Sequence, residues 1–435
     1  MLETAPHYLV ITGGTTGDIH PFMRIASALQ GLGRKVTFIT NTYHARLVQG
    51  AGLAFVGLGT DEEYLRVVAN PDLWDPRKGF SVLMANYSDL LQQMDEAIRS
   101  VCADAPLVAI AHPFAVPGAV IVRERGFIDS VVAAYLAPSN LRSCCDPLTI
   151  GPTRVPSWVP MRWRRALWRF VEESWIDPVA LAHLNAVRTP LGLPKVDSFL
   201  THMAEAPDLS VSLFPSWFAS PAPDWPQPLI SGDFQLFEAA PQEDLPQELC
   251  TFLAAGDKPV VFTAGTGNLH AADFFACALG AVNRLGRRAV FLSRDRAQAP
   301  ARLPASVLWQ PYVPLYALLP HAAALVHHGG IGTAAEALRA GTPQLIAPFA
   351  WDQFDNGARI ASLGAGVVIP AKRLRAAKLA QSLQALCSSD AIRAECSRLA
   401  TRLMPAPDPT RLCREVDSFV QARLDASKLI KLLNN

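Results

Sequence analysis

A pattern that occurs in both halves of the chain constrains the fold most: a short apolar segment, a turn of small residues, then a segment with helical spacing. In the first half, residues 8–12 predict a strand, 13–21 a glycine-containing loop, and 22–32 a helix. In the second half, an apolar segment at 322–326 leads into the sequence HHGGIGTAAE and a helix that Gly341 ends. Strands that alternate with helices predict parallel sheets. The expected fold is therefore α/β, with two domains that face each other across a cleft.

The length of the chain sets the expected domain boundaries. A chain of 435 residues exceeds what one hydrophobic core usually supports. The segment 215–246 is dense in proline and lacks a periodic pattern, which is typical of an interdomain linker. We therefore expect a first domain over 1–232, a second over 233–405, and a last helix over 406–425 that packs back on the first domain.

Composition and motifs exclude several classes of function. The net charge of +1 gives no indication of a nucleic-acid partner. The glycine patterns lack GxGxxG spacing, and the motifs GxxxxGK[ST], HExxH and GxSxG do not occur. No group of His, Cys, Asp and Glu has the spacing of metal ligands, so we expect neither a metal nor another cofactor. Hydride transfer, NTP hydrolysis and metalloprotease chemistry are therefore disfavoured.

The N-terminus, the apolar runs and the cysteine pattern predict a cytoplasmic protein. The N-terminus does not resemble a signal peptide, no apolar run reaches eighteen residues, and the eight cysteines lack a CxxC pair. The stretch 161–170 reads MRWRRALWRF, which is basic, aromatic and helical in spacing. The ordinary interpretation is a surface helix whose aromatic face packs on its domain. The other is a helix that lies on a membrane surface or lines an apolar acceptor site, which keeps peripheral contact with the inner membrane open.

The glycine-rich turn of the second half predicts a site for a diphosphate. A turn that leads into a helix N-terminus presents free N–H groups and the positive end of the helix dipole. The residues expected to bind the phosphates there are His328, Gly330, Gly332 and Thr333. Further along, Glu336 can accept two hydrogen bonds from a vicinal diol such as ribose, and Asp352 and Gln353 suit the hydroxyls of a sugar.

These residues, in this order and with Pro343 between them, resemble the donor signature of the nucleotide-sugar glycosyltransferases of GT-B family 1. The loop GDIHP at 17–21 resembles the N-terminal loop of the same family, and the likeness extends over residues 8–420. The resemblance implies the GT-B fold, two Rossmann-like domains with parallel sheets. The segments 70–76, 213–218, 224–229 and 352–356 resemble the rhamnosyltransferases of rhamnolipid synthesis.

The resemblance implies substrates as well. It suggests dTDP-L-rhamnose as donor, a 3-(3-hydroxyalkanoyloxy)alkanoate-type lipid as acceptor, and a glycolipid biosurfactant as product. UDP-glucose stays open as donor because Glu336 suits a cis-diol, which deoxythymidine lacks. Two alternatives also remain: a transferase of UDP-sugars to a natural-product aglycone, and a non-catalytic GT-B protein that binds a nucleotide sugar or assists a partner enzyme.

An inverting transfer needs a base for the acceptor hydroxyl and donors for the leaving diphosphate. The resemblance assigns the base to Asp18, with His20 as second candidate; the alternative for Asp18 is a helix N-cap. It also implies that Thr266 and Gly267 bind the diphosphate and that Tyr312 and Val313 hold the nucleoside. We interpret three further histidines as more structural than catalytic: His112, His321 and His327.

Overall fold

The computed structural model describes residues 5–101, 104–146, 149–151, 153–236 and 245–433. The strands of the first half are β1 (His7–Ile11), β2 (Lys35–Asn41), β3 (Ala54–Leu58), β4 (Leu107–Ala111), β5 (Ser130–Tyr135), β6 (Thr149–Ile150), β7 (Thr153–Arg154), β8 (Leu209–Ser212) and β9 (Leu229–Ser231). Those of the second half are β10 (Val260–Thr263), β11 (Ala289–Leu292), β12 (Val307–Gln310), β13 (Ala324–His327), β14 (Gln344–Ile346) and β15 (Gly366–Val368).

The helices of the first half are α1 (Thr16–Gly31), α2 (Ala45–Gly50), α3 (Asp61–Val68), α4 (Gly79–Met84), α5 (Tyr87–Ser100), α6 (Val116–Glu124), α7 (Met161–Val171), α8 (Asp177–Arg188) and α9 (Phe199–Glu205). Those of the second half are α10 (Gln247–Ala254), α11 (Ala272–Leu285), α12 (Leu315–Leu318), α13 (Ile331–Arg339), α14 (Gln353–Ser362), α15 (Ala376–Ser388), α16 (Asp390–Thr401) and α17 (Pro409–Leu433).

Two parallel sheets organise these elements, as the repeated strand–turn–helix pattern predicts. The first sheet has seven strands in the order β3-β2-β1-β4-β5-β8-β9, and the second has six in the order β12-β11-β10-β13-β14-β15. Every residue of β1, β5, β10 and β13 is buried. Burial on both faces explains why these strands are continuous apolar runs rather than alternating ones. The turns that follow β1, β10 and β13 therefore lie at the carboxyl edges of their sheets.

The proline-dense segment is not a simple linker, which corrects the interpretation of residues 215–246. Its first part belongs to the first domain, because β9 pairs in parallel with β8. Phe218 and Trp225 lie in the core of that domain, with 4% and 3% of their surfaces exposed. The prolines end strands and turn the chain here, but aromatic burial holds the segment on the sheet. The eight residues 237–244 lie outside the described part of the chain.

The last helix packs on the first domain. α17 lies against α1 and β9, and its residues Leu412, Val416 and Val420 are buried in the first core. Asp417 accepts a hydrogen bond of 2.8 Å from the Tyr8 hydroxyl. It also forms a two-pronged ion pair with Arg34, with N–O distances of 2.8 and 2.5 Å. The chain thus returns to the first sheet after it has completed the second.

Contacts across the cleft hold the two domains together. The indole Nε1 of Trp351 donates to the carbonyl oxygen of Leu73 at 3.1 Å. Lys372 pairs with Asp75 at 3.0 Å. On the far side of the cleft, Arg359 pairs with Asp146, alongside a 3.2 Å hydrogen bond from Thr149 to Asp355.

The ordinary interpretation of the basic aromatic stretch is only partly right. Trp168 and Val171 of α7 face the domain, but Trp163 and Phe170 are 60% and 55% exposed. In the part of the chain that the structure describes, no helix combines the length and the apolar character needed to cross a bilayer. The cysteines in that part are all free thiols.

Candidate active site

A cavity of about 990 Å³ lies between the carboxyl edges of the two sheets. Loops after β1, β4 and β5 form one wall, and loops after β10, β11, β12 and β13 form the other. Every residue that the sequence singles out for the site lines this cavity: Asp18, His20, Thr266, Gly267, Tyr312, Val313, His328, Gly330, Gly332, Thr333, Glu336, Asp352 and Gln353. The sequence therefore predicts correctly which loops meet, whereas the role of each residue is a separate question.

The two small-residue turns touch across the cleft. A Cβ atom added to Gly267 would come within 2.4 Å of the Thr15 methyl group. The loop after β10 therefore lies directly against the loop after β1, as the facing domains predict. Because any side chain at position 267 would push the loops apart, glycine is required for this close approach.

His328 stands at the N-terminus of α13, between two glycines. A Cβ at Gly265 would approach its ring to 2.7 Å, and one at Gly330 would approach it to 2.5 Å. Burial lowers the pKa of His328 to about 4, so the imidazole is neutral at neutral pH. Its Nδ1 atom is buried and has no hydrogen-bond partner among the described residues, and the same is true of Asn268 Nδ2 in the opposite turn. Both residues line the cavity, so these donors or acceptors are available to a polar ligand.

Both ring nitrogens of His327, the preceding residue, are occupied by hydrogen bonds within the protein. Its Nε2 lies 3.0 Å from Gln344 Oε1, and its Nδ1 accepts from the Gly329 N–H at 3.1 Å. These partners require a neutral ring that carries its proton on Nε2. Gly329 has a φ of 99°, a conformation that glycine adopts without strain, and this turns the chain into α13. His327 therefore shapes the glycine-rich turn, in line with its structural interpretation.

Asp18 lies at the start of α1, but it is not the N-cap. The N-cap is Thr15, whose N–H and hydroxyl donate to Asp18 Oδ2 at 2.8 and 3.1 Å. The N-cap alternative for Asp18 is thus wrong in position, although the side chain does stabilise the helix start. Burial raises the pKa of Asp18 to about 6, against the opposing effect of the Thr15 hydrogen bonds. A carboxylate with this pKa can accept a proton near neutral pH.

His20 lies in the same cavity wall as a neutral side chain. Burial is the main cause that lowers its pKa to about 4, and the charge of Arg294 contributes. His112 lies in the same wall, where its Nδ1 accepts from the Phe114 N–H at 3.4 Å. Burial lowers the pKa of His112 to about 4 as well. Neither imidazole carries a positive charge toward the cavity at neutral pH.

Asp352 and Gln353 face Asp18 from the second domain. Burial, followed by the charge of Asp18, raises the pKa of Asp352 to about 7. Asn356 Nδ2 donates to Asp352 Oδ2 at 2.7 Å. Gln353 Oε1 accepts from the N–H groups of residues 349 and 350 at 2.8 and 3.2 Å, which leaves its amide nitrogen for a ligand. Trp351, just before them, has a φ of 59°, a left-handed conformation that is rare for a bulky residue.

The three residues that the sequence assigns to the nucleoside, Tyr312, Val313 and Glu336, line the second-domain wall of the cavity. Val313 is buried, whereas Tyr312 is 50% exposed to the cavity. Glu336 Oε2 already accepts from Arg339, at 3.1 Å from Nε and 2.6 Å from Nη2. The ion pair reduces the capacity of Glu336 to hold both hydroxyls of a diol, and the i,i+3 spacing within a helix is the sequence signal that could have indicated it.

Sequence reasoning missed Arg294. This residue follows β11 and lines the cavity, and its charge lowers the pKa values of His20 and His44 in the facing domain. It makes no hydrogen bond or ion pair with any residue that the structure describes. The signal that could have found it is its position, because ligands of parallel sheets bind beyond the carboxyl ends of strands.

Apolar side chains of the first domain also line the cavity. They come from α4, α5, α9 and the loops after β4 and β5: Leu83, Leu90, Met94, Phe114, Leu136, Leu200 and Met203. These side chains belong to the first domain, as Asp18 does, whereas the glycine-rich turn after β13 belongs to the second. Among the described residues, no three His, Cys, Asp or Glu side chains are grouped closely enough to hold a metal ion.

Comparisons with known proteins agree with this geometry. Residues 8–139 match the glycosyltransferase family 28 N-terminal domain, and residues 277–419 match the erythromycin biosynthesis protein CIII-like C-terminal domain. The chain is 26% identical to O-mycaminosyltylonolide 6-deoxyallosyltransferase of Streptomyces fradiae, over 96% of this chain and 98% of that protein. It is 23% identical to sterol 3-beta-glucosyltransferase of Debaryomyces hansenii, over 92% of this chain but only 26% of that longer protein.

The fold is shared with solved structures. The crystal structure of the glycosyltransferase VinC in complex with dTDP superposes with a TM-score of 0.66 at 21% identity, over 96% of this chain and 100% of that one. The chain therefore has the GT-B fold, with one Rossmann-like domain in each half, and it is a glycosyltransferase. Both matched domain families and the named relatives support the enzyme class over the non-catalytic alternative.

Proposed function

We propose that this glycosyltransferase moves a sugar from a nucleoside diphosphate to the hydroxyl group of an apolar small molecule, with inversion at the anomeric carbon. The observation that carries the proposal is the cavity between the domains. A helix N-terminus with unpartnered polar side-chain atoms lines the second-domain wall, and apolar side chains together with a carboxylate of raised pKa line the first-domain wall. This arrangement suits a charged donor, an apolar acceptor and a base at their junction.

The donor that we propose is a dTDP-sugar, with dTDP-L-rhamnose as first candidate and UDP-glucose as second. The VinC structure contains dTDP, and the S. fradiae relative is named for the transfer of a deoxy sugar. The ion pair between Glu336 and Arg339 also favours deoxyribose, because a carboxylate that holds an arginine is a poorer acceptor for two ribose hydroxyls.

Glu336→Ala tests the donor assignment. It is expected to weaken dTDP and UDP about equally in calorimetric titrations, because the ion pair with Arg339 leaves Glu336 too little acceptor capacity for a second ribose hydroxyl. A matched variant, Glu336→Gln, keeps the length of the side chain and separates loss of charge from loss of contact. A larger loss for UDP would show that Glu336 holds both hydroxyls of a ribose, and it would favour a UDP-sugar as donor.

The acceptor that we propose is a natural-product aglycone. The S. fradiae relative is named for the acceptor O-mycaminosyltylonolide, and the D. hansenii relative for a sterol. A second candidate is a 3-(3-hydroxyalkanoyloxy)alkanoate-type lipid, as in rhamnolipid synthesis. It is favoured by the apolar side chains Leu83, Leu90, Met94 and Met203, of which the two flexible methionines can adapt to alkyl chains as well as to a ring system.

In the proposed mechanism, Asp18 removes the proton from the acceptor hydroxyl as its oxygen attacks the anomeric carbon. The bond between that carbon and the diphosphate breaks, and its electron pair goes to the departing phosphate oxygen. His328, Thr333 and the N–H groups at the start of α13 donate to the developing charge. Arg294 supplies the positive charge, because a fixed cation near the leaving group stabilises the transition state more than the ground state.

The decisive experiment incubates the enzyme with dTDP-L-rhamnose or UDP-glucose and three acceptors, followed by mass spectrometry. The acceptors are a macrolide aglycone, an aromatic polyketide aglycone and a hydroxyalkanoyloxy-alkanoate. A new mass equal to acceptor plus sugar, absent with Asp18→Asn, supports the proposal and identifies the acceptor class. If calorimetry shows that neither dTDP nor UDP binds, and no glycoside forms, the proposed function is wrong.

A further inference from the structure

Four large aromatic side chains lie exposed within one short stretch of the first domain. Trp158 is 80% exposed, Trp163 60%, Phe170 55% and Trp175 56%. Single exposed apolar residues are normal on a protein surface, but a cluster of four within eighteen positions is not. We propose that residues 158–175, called here the aromatic–basic surface, dock the enzyme on an anionic lipid bilayer.

Helix α7 presents aromatic and basic side chains on one face. At 100° per residue, Arg162, Arg165 and Arg169 form one stripe, and Trp163 and Phe170 form the stripe beside it. All five side chains are exposed. The guanidinium of Arg162 lies over the Trp163 ring, 5.9 Å from its centroid. The helix therefore offers positive charge and aromatic rings side by side toward the solvent.

The opposite face fixes this orientation. Trp168 donates from its indole nitrogen to the Ser143 carbonyl oxygen. Arg164 donates to the carbonyl oxygens of Val159 and Cys144 at 2.9 and 3.2 Å. A different set of residues thus attaches α7 to the domain. The exposed rings are therefore on the solvent side of a helix whose inward face is already packed.

The chemistry of the aromatic–basic surface fits a bilayer of anionic lipids. Tryptophan prefers the membrane interface, where its apolar ring and its N–H group are both accommodated. Arginine binds phosphate through several N–H donors, and clustered basic residues attract anionic headgroups. The whole chain carries a net charge of only +1, so the three exposed arginines form a local concentration of charge rather than part of a general excess.

The aromatic–basic surface is placed where it could help the enzyme to take an acceptor from a membrane. This benefit, unlike the docking itself, rests on the proposed function. α7 is attached to residues 143–144, close in the chain to Ser139, Asn140 and Thr149, which line the cavity. Docking through α7 would hold this part of the cavity wall at the membrane in which an apolar acceptor dissolves.

Vesicle flotation tests the docking surface without any catalytic readout. The full-length enzyme is mixed with vesicles of phosphatidylcholine alone, or with 30% phosphatidylglycerol, at about 0.05 and 0.5 M NaCl. We expect binding to the anionic vesicles at low salt, weaker binding at high salt, and little binding to phosphatidylcholine. Trp163→Ser with Phe170→Ser, or the three arginines to Gln, should each lower the fraction bound at least about tenfold.

A matched control replaces three exposed arginines of the second domain, Arg284, Arg302 and Arg373, by Gln. It makes the same change in net charge and should bind vesicles like the wild type. Unchanged melting temperatures show that the surface variants are folded. The inference is overturned if the wild type does not bind anionic vesicles, which is the result expected of a surface that binds a protein partner. It is also overturned if the control loses as much vesicle binding as the α7 variants. Because flotation measures no sugar transfer, either outcome leaves the proposed function standing.

Discussion

Replacing Asp18 by Asn is expected to stabilise the fold at neutral pH while it removes most of the activity. Burial raises the pKa of this carboxyl from 3.8 to about 6. A carboxyl group whose pKa is higher in the folded state stabilises the fold below its unfolded pKa, and this contribution is lost as the pH rises through about 6. At pH 7.5 the ionised side chain therefore costs up to about 3 kcal/mol relative to a neutral one.

The asparagine keeps the size of the side chain and an oxygen that can accept from Thr15, so the helix start is preserved. Over a chain of 435 residues, a gain of about 3 kcal/mol corresponds to a rise in Tm of about 3 °C. At pH 5 the wild-type carboxyl is mostly protonated in the folded state, so the difference between the two proteins should fall to about half. Turnover should drop by a factor of about 10² to 10⁴, the usual contribution of a general base.

Calorimetric unfolding at pH 7.5 and pH 5 checks the expected change in stability, and turnover measured in parallel checks the expected loss of activity. Asp61→Asn, an exposed aspartate in the first turn of α3 and outside the cavity lining, serves as control and should leave the activity unchanged. A destabilised Asp18→Asn protein at pH 7.5, or a stability difference independent of pH, would refute the raised pKa. Full activity in this variant would refute the assignment of the base.

Three further outcomes follow from the same cavity. The kcat/KM of the wild type should fall as the pH drops through about 6, because Asp18 must be ionised to accept a proton; a rate independent of pH between 5 and 8 contradicts this. Arg294→Ala should weaken dTDP at least about tenfold in calorimetry but leave thymidine nearly unchanged, with Arg294→Lys intermediate; equal losses for both ligands would show that the residue does not act on phosphate. Gly330→Ala should abolish dTDP binding in a folded protein, because its Cβ would come within 2.5 Å of the neighbouring histidine ring. Gly50→Ala, at the end of α2 and outside the cavity lining, is its control, since a Cβ there meets nothing within 4 Å; equal effects of the two alanines would count against the packing argument.

The sequence predicts the architecture and the meeting of the loops because both follow from local patterns. Apolar runs identify buried strands, small residues identify the turns after them, and parallel sheets bring those turns to one edge. Tertiary contacts decide the rest. The exposure of Trp163 depends on tertiary neighbours that hydrophobic periodicity does not identify. The pairing of Glu336 with Arg339 is different, because it is an i,i+3 contact within one helix that helical spacing could have indicated. Arg294 belongs to no motif, and only its place beside other strand ends indicates a role.

The return of α17 to the first domain has a consequence for engineering. Exchanging halves between related transferases is a natural way to combine one donor preference with another acceptor preference. In this chain a single junction near residue 232 would separate Asp417 from its partners Tyr8 and Arg34, and it would graft a foreign helix onto the first sheet. A working chimera therefore needs two crossover points, one near 232 and one near 405, so that the terminal helix travels with the domain that it covers.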